Sequence, residues 1–346
     1  MTGEWCVRPY RAGDERELVG LFERVFGRAL TPEQWRWKLQ PDQSAVDNVW
    51  LAVHDEKPIF QYAGIATRFQ IRDAERAVMV SVDTMTAPEF QRRGLLSEVG
   101  RTTYAHWRDG GVAFVLGMPN ERWGSRARVL GWVELFPLQW LTRALRPARL
   151  LARRLHLPTV AGFDALDGLW NGLADRALAV NGQPVCVRVL TQAEAALDRL
   201  WATCRDDYGF SVVRDRAWLH WRYFTPPSLR YTVLLAERAG EPAGYLAYRL
   251  ANGAGLIAEL FTRRDDTAAR SALLGQALAA LREAGALSAS ILAVPSTCLH
   301  QAVRRAGFLP RDAFTVQMVP LDSRLPLDQL RDPRQWGIAG GDFDVV

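Results

Sequence analysis

Between a β-like run and a helix-like run lies TAPEFQRRGLLSEV, residues 86–99, with Arg92, Arg93 and Gly94 at the junction. Arginine and glycine at a strand-to-helix turn suit a bound oxyanion. The first amides of a helix have no intrahelical acceptor and stand at the positive end of its dipole, so a phosphate or diphosphate can accept hydrogen bonds there. Gly94 lets the backbone approach such a group with no Cβ in the way. An exposed turn with a convenient glycine is the other reading of these residues. Asp83 stands three residues before Thr86, near the end of the strand-like run AVMVSVDTMT. A carboxylate there can act as a general base, directly or through water, or can cap a turn.

The elements that would position these groups follow from periodicity. WCVRP reads as a short strand, and a helix from Asp14, its N-cap, carries Leu18, Leu21, Phe22, Val25 and Phe26 at helical spacing and ends near Gly27. A second helix opens at TPEQWRWKL, with Thr31 as cap and Pro32 at the first position. Three strand-like runs follow, NVWLAVH, IFQYAGIATRFQI and AVMVSVDTMT. A helix from Leu95 to Arg108 stops at DGG; VAFVLGM is a buried strand, PNERWGSRARVL a further helix, and GWVELF begins a last strand. The order is β-α-α-β-β-β-α-β-α-β, with the Arg-Arg-Gly turn at the head of the helix that follows the meander.

The same order recurs in the second half. VCVRVLTQAEAALDRLWATCRDDYG echoes the opening strand and helix, WLHWRY echoes WRWKL, and from Asp83 onward the halves align without gaps at a separation of 176 residues. Identity is low, so the repeat rests on the order and length of elements. The expected division is 1–140 and 181–322 as two copies, 141–180 as a helical linker and 323–346 as a tail. The second copy has lost the turn: Arg270 stands where Gly94 stands, and Asp265 and Asp266 would repel a diphosphate. The linker is basic at first (Arg143, Arg146, Arg149, Arg153, Arg154) and then apolar, which fits a connector with its arginines in solvent or a membrane-surface helix. Trp35, Trp37, Trp218 and Trp221 fit core positions better than a stacking pocket.

A length of 346 residues favours two domains over one core. The net charge of +5, carried almost wholly by arginine, suits an anionic ligand, and no recognised nucleic-acid motif accompanies it. Four cysteines stand far apart without C-x-x-C, and the five histidines form no close pair, so the expectation is a reducing cytoplasm with no disulfide framework and no metal centre. No apolar run has the length of a signal peptide core or a membrane span, so a cytoplasmic protein is expected.

Gln91-Arg92-Arg93-Gly94-Leu95-Leu96 and its surroundings resemble the GNAT superfamily of N-acetyltransferases, whose signature is Q/R-x-x-G-x-G/A between the fourth strand and third helix. Leu96 departs from the sixth position. RRGLL is similar to the enhanced-intracellular-survival-type branch, and VDTMTAPEF, GMPNERWGSRARVLGW, the WRWK helix and the closing W…GDFD resemble tandem GNAT proteins. The resemblance implies a mixed α/β (α+β) fold of two tandem GNAT-like domains, each a mixed, mostly antiparallel sheet flanked by helices. It implies acetyl-CoA or another acyl-CoA as cofactor and a small-molecule amine as acceptor, with a homodimer as a possible state. Backbone groups at Met85 and Thr86 would hold the pantetheine arm, the turn from Gln91 to Leu96 the diphosphate, and Asn120 the cofactor arm. Asp83 would be the base; Asp342, Asp344 or the carboxylate of Val346 could replace it if the tail folds back. The tyrosine that usually donates the proton is missing, since its position is Ala127. A Fem-type aminoacyl transferase and a non-catalytic acyl-CoA-binding protein are the alternatives.

Overall fold

The computed structural model describes residues 5–118, 124–156, 158, 162–178 and 184–343. They fall into two units, residues 1–136, 226–228 and 315–332 forming the first and residues 137–225, 229–314 and 333–346 the second.

Unit 1 starts with β1 (Cys6–Pro9), α1 (Glu15–Phe26) and α2 (Pro32–Leu39). α1 ends on Gly27, whose φ of 69° is the left-handed conformation that glycine adopts without strain. Asp14 precedes the helix but does not cap it; its carboxylate takes Arg8 at 2.7 and 2.9 Å and the Arg11 amide at 2.8 Å. Thr31 does cap α2: its hydroxyl accepts the Gln34 amide at 3.1 Å, and the Gln34 side chain accepts the Thr31 amide at 2.8 Å. An antiparallel meander follows, β2 (Val49–His54), β3 (Lys57–Ile71) and β4 (Ala74–Thr86), then α3 (Leu95–Asp109), β5 (Phe114–Gly117) and α4 (Gly124–Val129). The sheet runs β1-β2-β3-β4-β5, antiparallel except for β4 beside β5, and residues 317–320 complete it against β5. α1 and α2 bury Leu18, Leu21, Phe22, Trp35 and Leu39 near β3 and β4, while α3 buries Val99, Tyr104 and Trp107 against β2 and β3. Burying each such side chain contributes about 1.5–3 kcal/mol.

Unit 2 takes the later part of β6 (Val133–Ala144), then α5 (Pro147–Arg154) and α6 (Gly162–Asp175). β7 (Cys186–Leu190), α7 (Ala195–Cys204), β8 (Phe210–Val212) and α8 (Arg216–Leu219) follow, the last continuing as a π-helical turn over His220–Phe224. The meander β9 (Thr232–Arg238), β10 (Glu241–Ala251) and β11 (Ala254–Thr262) leads to α9 (Thr267–Glu283), β12 (Ser288–Ala293), α10 (Cys298–Arg305), β13 (Leu309–Pro320) and β14 (Trp336–Gly337). Its sheet is β7-β9-β10-β11-β12-β6, parallel only between β11 and β12. Leu273, Leu274, Leu278 and Leu281 of α9 fill one core of unit 2, and Leu197, Leu200 and Trp201 of α7 fill a second.

Each sheet is thus closed by a strand from the other half of the sequence: residues 317–320 in unit 1 and residues 139–144 in unit 2. The fold is mixed α/β with mostly antiparallel strands flanked by helices, as expected. The connector reading fails at Arg143: placed in solvent by that reading, it is fully buried on β6 beside Asp175. Trp35 is core, whereas Trp37, Trp218 and Trp221 are half-buried. Among the described residues no helix is long and apolar enough to cross a membrane.

Candidate active site

β4 and β5 pair over Met79–Val115 and Val80–Leu116 only. β4 then continues for six residues to Thr86, while β5 ends one residue later at Gly117. The two parallel strands therefore part, and a wedge opens along the edge of β4. A bulge adds to the divergence: Val82 faces Ala63 and Met85 faces Gln61, so Asp83 and Thr84 stand opposite Tyr62 alone. Asp83 sits in the left-handed region, φ 46°.

Beyond β4 the chain makes a short 3-10 turn at Pro88–Phe90 and reaches the Arg-Arg-Gly turn. Arg92 (φ 64°) and Gly94 (φ 85°) are both left-handed, on either side of Arg93. Such an alternation turns successive amides towards one concavity. The Gly94 carbonyl accepts from Ser97 and Glu98, starting α3, yet no side chain caps the helix. Among the described residues no acceptor takes the amides of residues 92 to 96. A Cβ on Gly94 would meet nothing within 4 Å, so what requires glycine here is its φ, and the space over it is open. Arg93 lies 4.9 Å from the Phe90 ring centroid, and neither Arg92 nor Arg93 is ion-paired among the described residues.

A cleft of about 650 Å³ opens against this turn. It brings together Met85, Thr86 and all six residues from Gln91 to Leu96, with Val25 and Phe26 of α1 as an apolar wall. Asp83 does not line it. Its carboxylate is ion-paired with Lys38 of α2, and both side chains are buried. Gln61 donates to the Asp83 carbonyl at 3.1 Å and accepts from the Trp35 indole at 3.1 Å. The bulge is therefore held from α2 by two side chains. Asn120 lies outside the described residues, as do Asp344 and Val346.

Sequence reasoning missed a chain of hydroxyls on the α3 side of the sheet. Ser81, the residue after the last β4–β5 pair, stands 3.4 Å from the Tyr62 hydroxyl, which meets the Tyr104 hydroxyl at 2.5 Å. Burial pushes Tyr62 up to about 12 and Tyr104 well above the ordinary tyrosine value, so both stay protonated at neutral pH. No spacing signal marks such a cluster, because its members come from three elements.

In unit 2 the counterpart of the turn is gone. α9 begins at Thr267, one turn earlier than the repeat offset from α3 would give, so Arg270 lies inside the helix and is buried. Asp266 caps it, accepting the Ala269 amide at 2.9 Å and pairing with Arg238 at 2.8 Å. A carboxylate of the protein thus sits where an anion would otherwise bind. The tail docks beside it: Asp342 takes Arg214 at 2.7 and 2.8 Å, and Arg214 also pairs with Glu259, the counterpart of Asp83. Asp342 is therefore engaged within unit 2.

Residues 6–133 match the family model described as an acetyltransferase (GNAT) domain. No curated protein matches the sequence. Among solved structures, the chain is similar to a probable N-acyltransferase of Enterococcus faecalis V583, with a TM-score of 0.67 at 14% identity over 92% of this chain and 73% of that one. A GCN5-related N-acetyltransferase from Kribbella flavida gives 0.64 at 13% identity over 91% and 70%. Another from Anabaena variabilis gives 0.67 at 10% identity over 92% and 73%. At these identities the likeness is one of fold, and it extends across both halves. The open amides at the head of α3, the parted strands and the matched segment agree: residues 6–133 match an acetyltransferase (GNAT) domain, and together these findings support an acyltransferase.

Proposed function

We propose that the protein moves an acetyl or other acyl group from an acyl-CoA to a primary amine of a small molecule, using one site in unit 1, and that it is of the tandem type. The observation that carries this is the run of amides from residue 92 to 96, without acceptors and facing a cleft of about 650 Å³. Those amides would hold the diphosphate, with Arg92 and Arg93 adding charge. Backbone groups at Met85 and Thr86 would hold the pantetheine arm along the free edge of β4. The residues fit the group: a glycine with open space above it, uncapped amides and an apolar wall are what a diphosphate with an organic arm requires.

Acyl-CoA supplies the activated acyl carbon. The protein's part is to align the amine with it and to stabilise the charge that develops on the carbonyl oxygen. Asp83, tied to Lys38, shapes the bulge that aims the β4 amides; we assign it a positioning role in place of the expected role as base. Ser81, which donates to the buried Tyr62 with Tyr104 beyond it, would relay a proton towards the parted strands once that hydrogen bond reverses and Tyr62 donates to Ser81.

Incubation with acetyl-CoA and a panel of amines, followed by thiol release and product mass, tests the reading. Turnover that is lost in Gly94→Val is expected. Absence of thiol release with every acyl-CoA and amine tried would contradict it.

A further inference from the structure

α6 is packed inside out. Its buried face carries Asp167 and Asn171, 5% and 8% exposed. Asp167 accepts the Ala148 amide at 2.8 Å, Asn171 accepts from Arg143 at 2.9 Å, and Asn171 donates to the Leu145 carbonyl at 2.7 Å. One turn on, Asp175 pairs with Arg143 at 2.9 Å and Arg282 at 2.8 Å. Asn171 and Asp175 meet the buried Arg143 guanidinium and Asp167 takes the Ala148 amide, which turns the polar stripe at 167, 171 and 175 inward. The apolar stripe is consequently turned outward: Leu166, Leu169 and Leu173 are 58%, 64% and 54% exposed and Trp170 is 38%. Leu151 on the adjacent α5 and Leu155 just past its end are exposed as well.

We infer that this face of α6 is covered by the same face of a second copy of the chain, in a two-fold, isologous contact. The six side chains leave roughly 500 Å² of apolar surface open, a large part of the ~800 Å² per partner of a standard interface. The face is mixed in charge, since α6 contains three aspartates and the adjacent α5 carries Arg149, Arg153 and Arg154, so an anionic lipid surface is the rival occupant that vesicle flotation tests. Antiparallel pairing matches the charges. It sets Asp164 in the first turn, 65% exposed and paired within its own chain with Arg149 at 2.5 Å, beside the partner's Arg176, a residue without an ion pair among the described residues. Gly168 and Gly172 have no atom within 4 Å of a Cβ position, leaving room for close helix approach.

Light scattering of the full chain at roughly 50 μM should give twice 38.8 kDa. The double variant Leu169→Asp/Leu173→Asp, and separately Leu169→Arg, should weaken self-association at least ~100-fold with an unchanged circular dichroism spectrum and Tm. Leu250→Asp, an exposed leucine on β10, should remain dimeric. A monomeric wild type, or a double variant that stays dimeric, would overturn the inference. So would flotation with phosphatidylglycerol vesicles that the same variant abolishes.

Discussion

Asp83, at the left-handed position of the β4 bulge, is ion-paired with Lys38 of α2, and neither side chain is more than 7% exposed. The pair joins α2 to the strand that borders the wedge. Lys38 is one of two lysines in the chain, the other being Lys57. Removing one partner leaves a buried charge uncompensated, which costs about 3–5 kcal/mol. Lys38→Met should therefore lower Tm by roughly 10 °C, taking a few degrees per kcal/mol for a unit of this size. Lys38→Met/Asp83→Leu should recover most of it, because no charge is left buried. Thermal denaturation of the three proteins checks this, and equal losses in the single and double variants would contradict it.

Gly94 acts through its backbone. At φ 85° a residue with a Cβ is strained by about 1–2 kcal/mol, although nothing lies near the side-chain position. Gly94→Ala should weaken coenzyme A binding roughly tenfold. Arg270→Met, at the corresponding place in α9, should leave the affinity unchanged. Calorimetry separates the two, and equal losses would point to a site outside unit 1.

Tyr62 holds its proton up to about 12 because it is buried. If the hydroxyl chain supplies the proton for the departing thiolate, Tyr62→Phe should lower kcat about tenfold and leave the KM for acyl-CoA unchanged. A rise in KM alone would assign the residue to packing.

Asp322 takes the Arg324 side chain at 2.9 and 3.0 Å, the Arg324 amide at 3.0 Å and Arg76 at 2.8 Å, and these hydrogen bonds hold its carboxyl far below the ordinary value. A depressed folded-state pKa stabilises above the unfolded value near 3.8, and the contribution is lost as pH falls below it. Asp322→Asn should lower Tm at pH 7, with the gap to wild type closing as the pH drops below about 4. A gap independent of pH would contradict this origin.

The local features were legible in the sequence. Thr31 with Gln34, Gly27 and the 15-residue α3 follow from caps and periodicity that operate within a few residues. The Arg-Arg-Gly turn was legible for the same reason, since unpaired amides at a helix head are a local property. Long-range pairings were not. Nothing near Lys38 points to Asp83, and the hydroxyls of Tyr62, Ser81 and Tyr104 meet through tertiary packing. The exchanged closing strands are invisible to a linear division into domains, because each pairs with a strand far away in sequence. The arginine-rich linker misled in a specific way: Arg143 is buried because Asp175 and Asn171 reach it, which periodicity alone does not register.

The most direct measurement is a crystal structure of the protein with coenzyme A. The account predicts diphosphate oxygens within hydrogen-bond distance, about 3 Å, of the amides between residues 92 and 96, with the thiol arm running along β4 past Thr86 and Met85. Coenzyme A bound at the head of α9, or bound in unit 1 with those amides untouched, would contradict it.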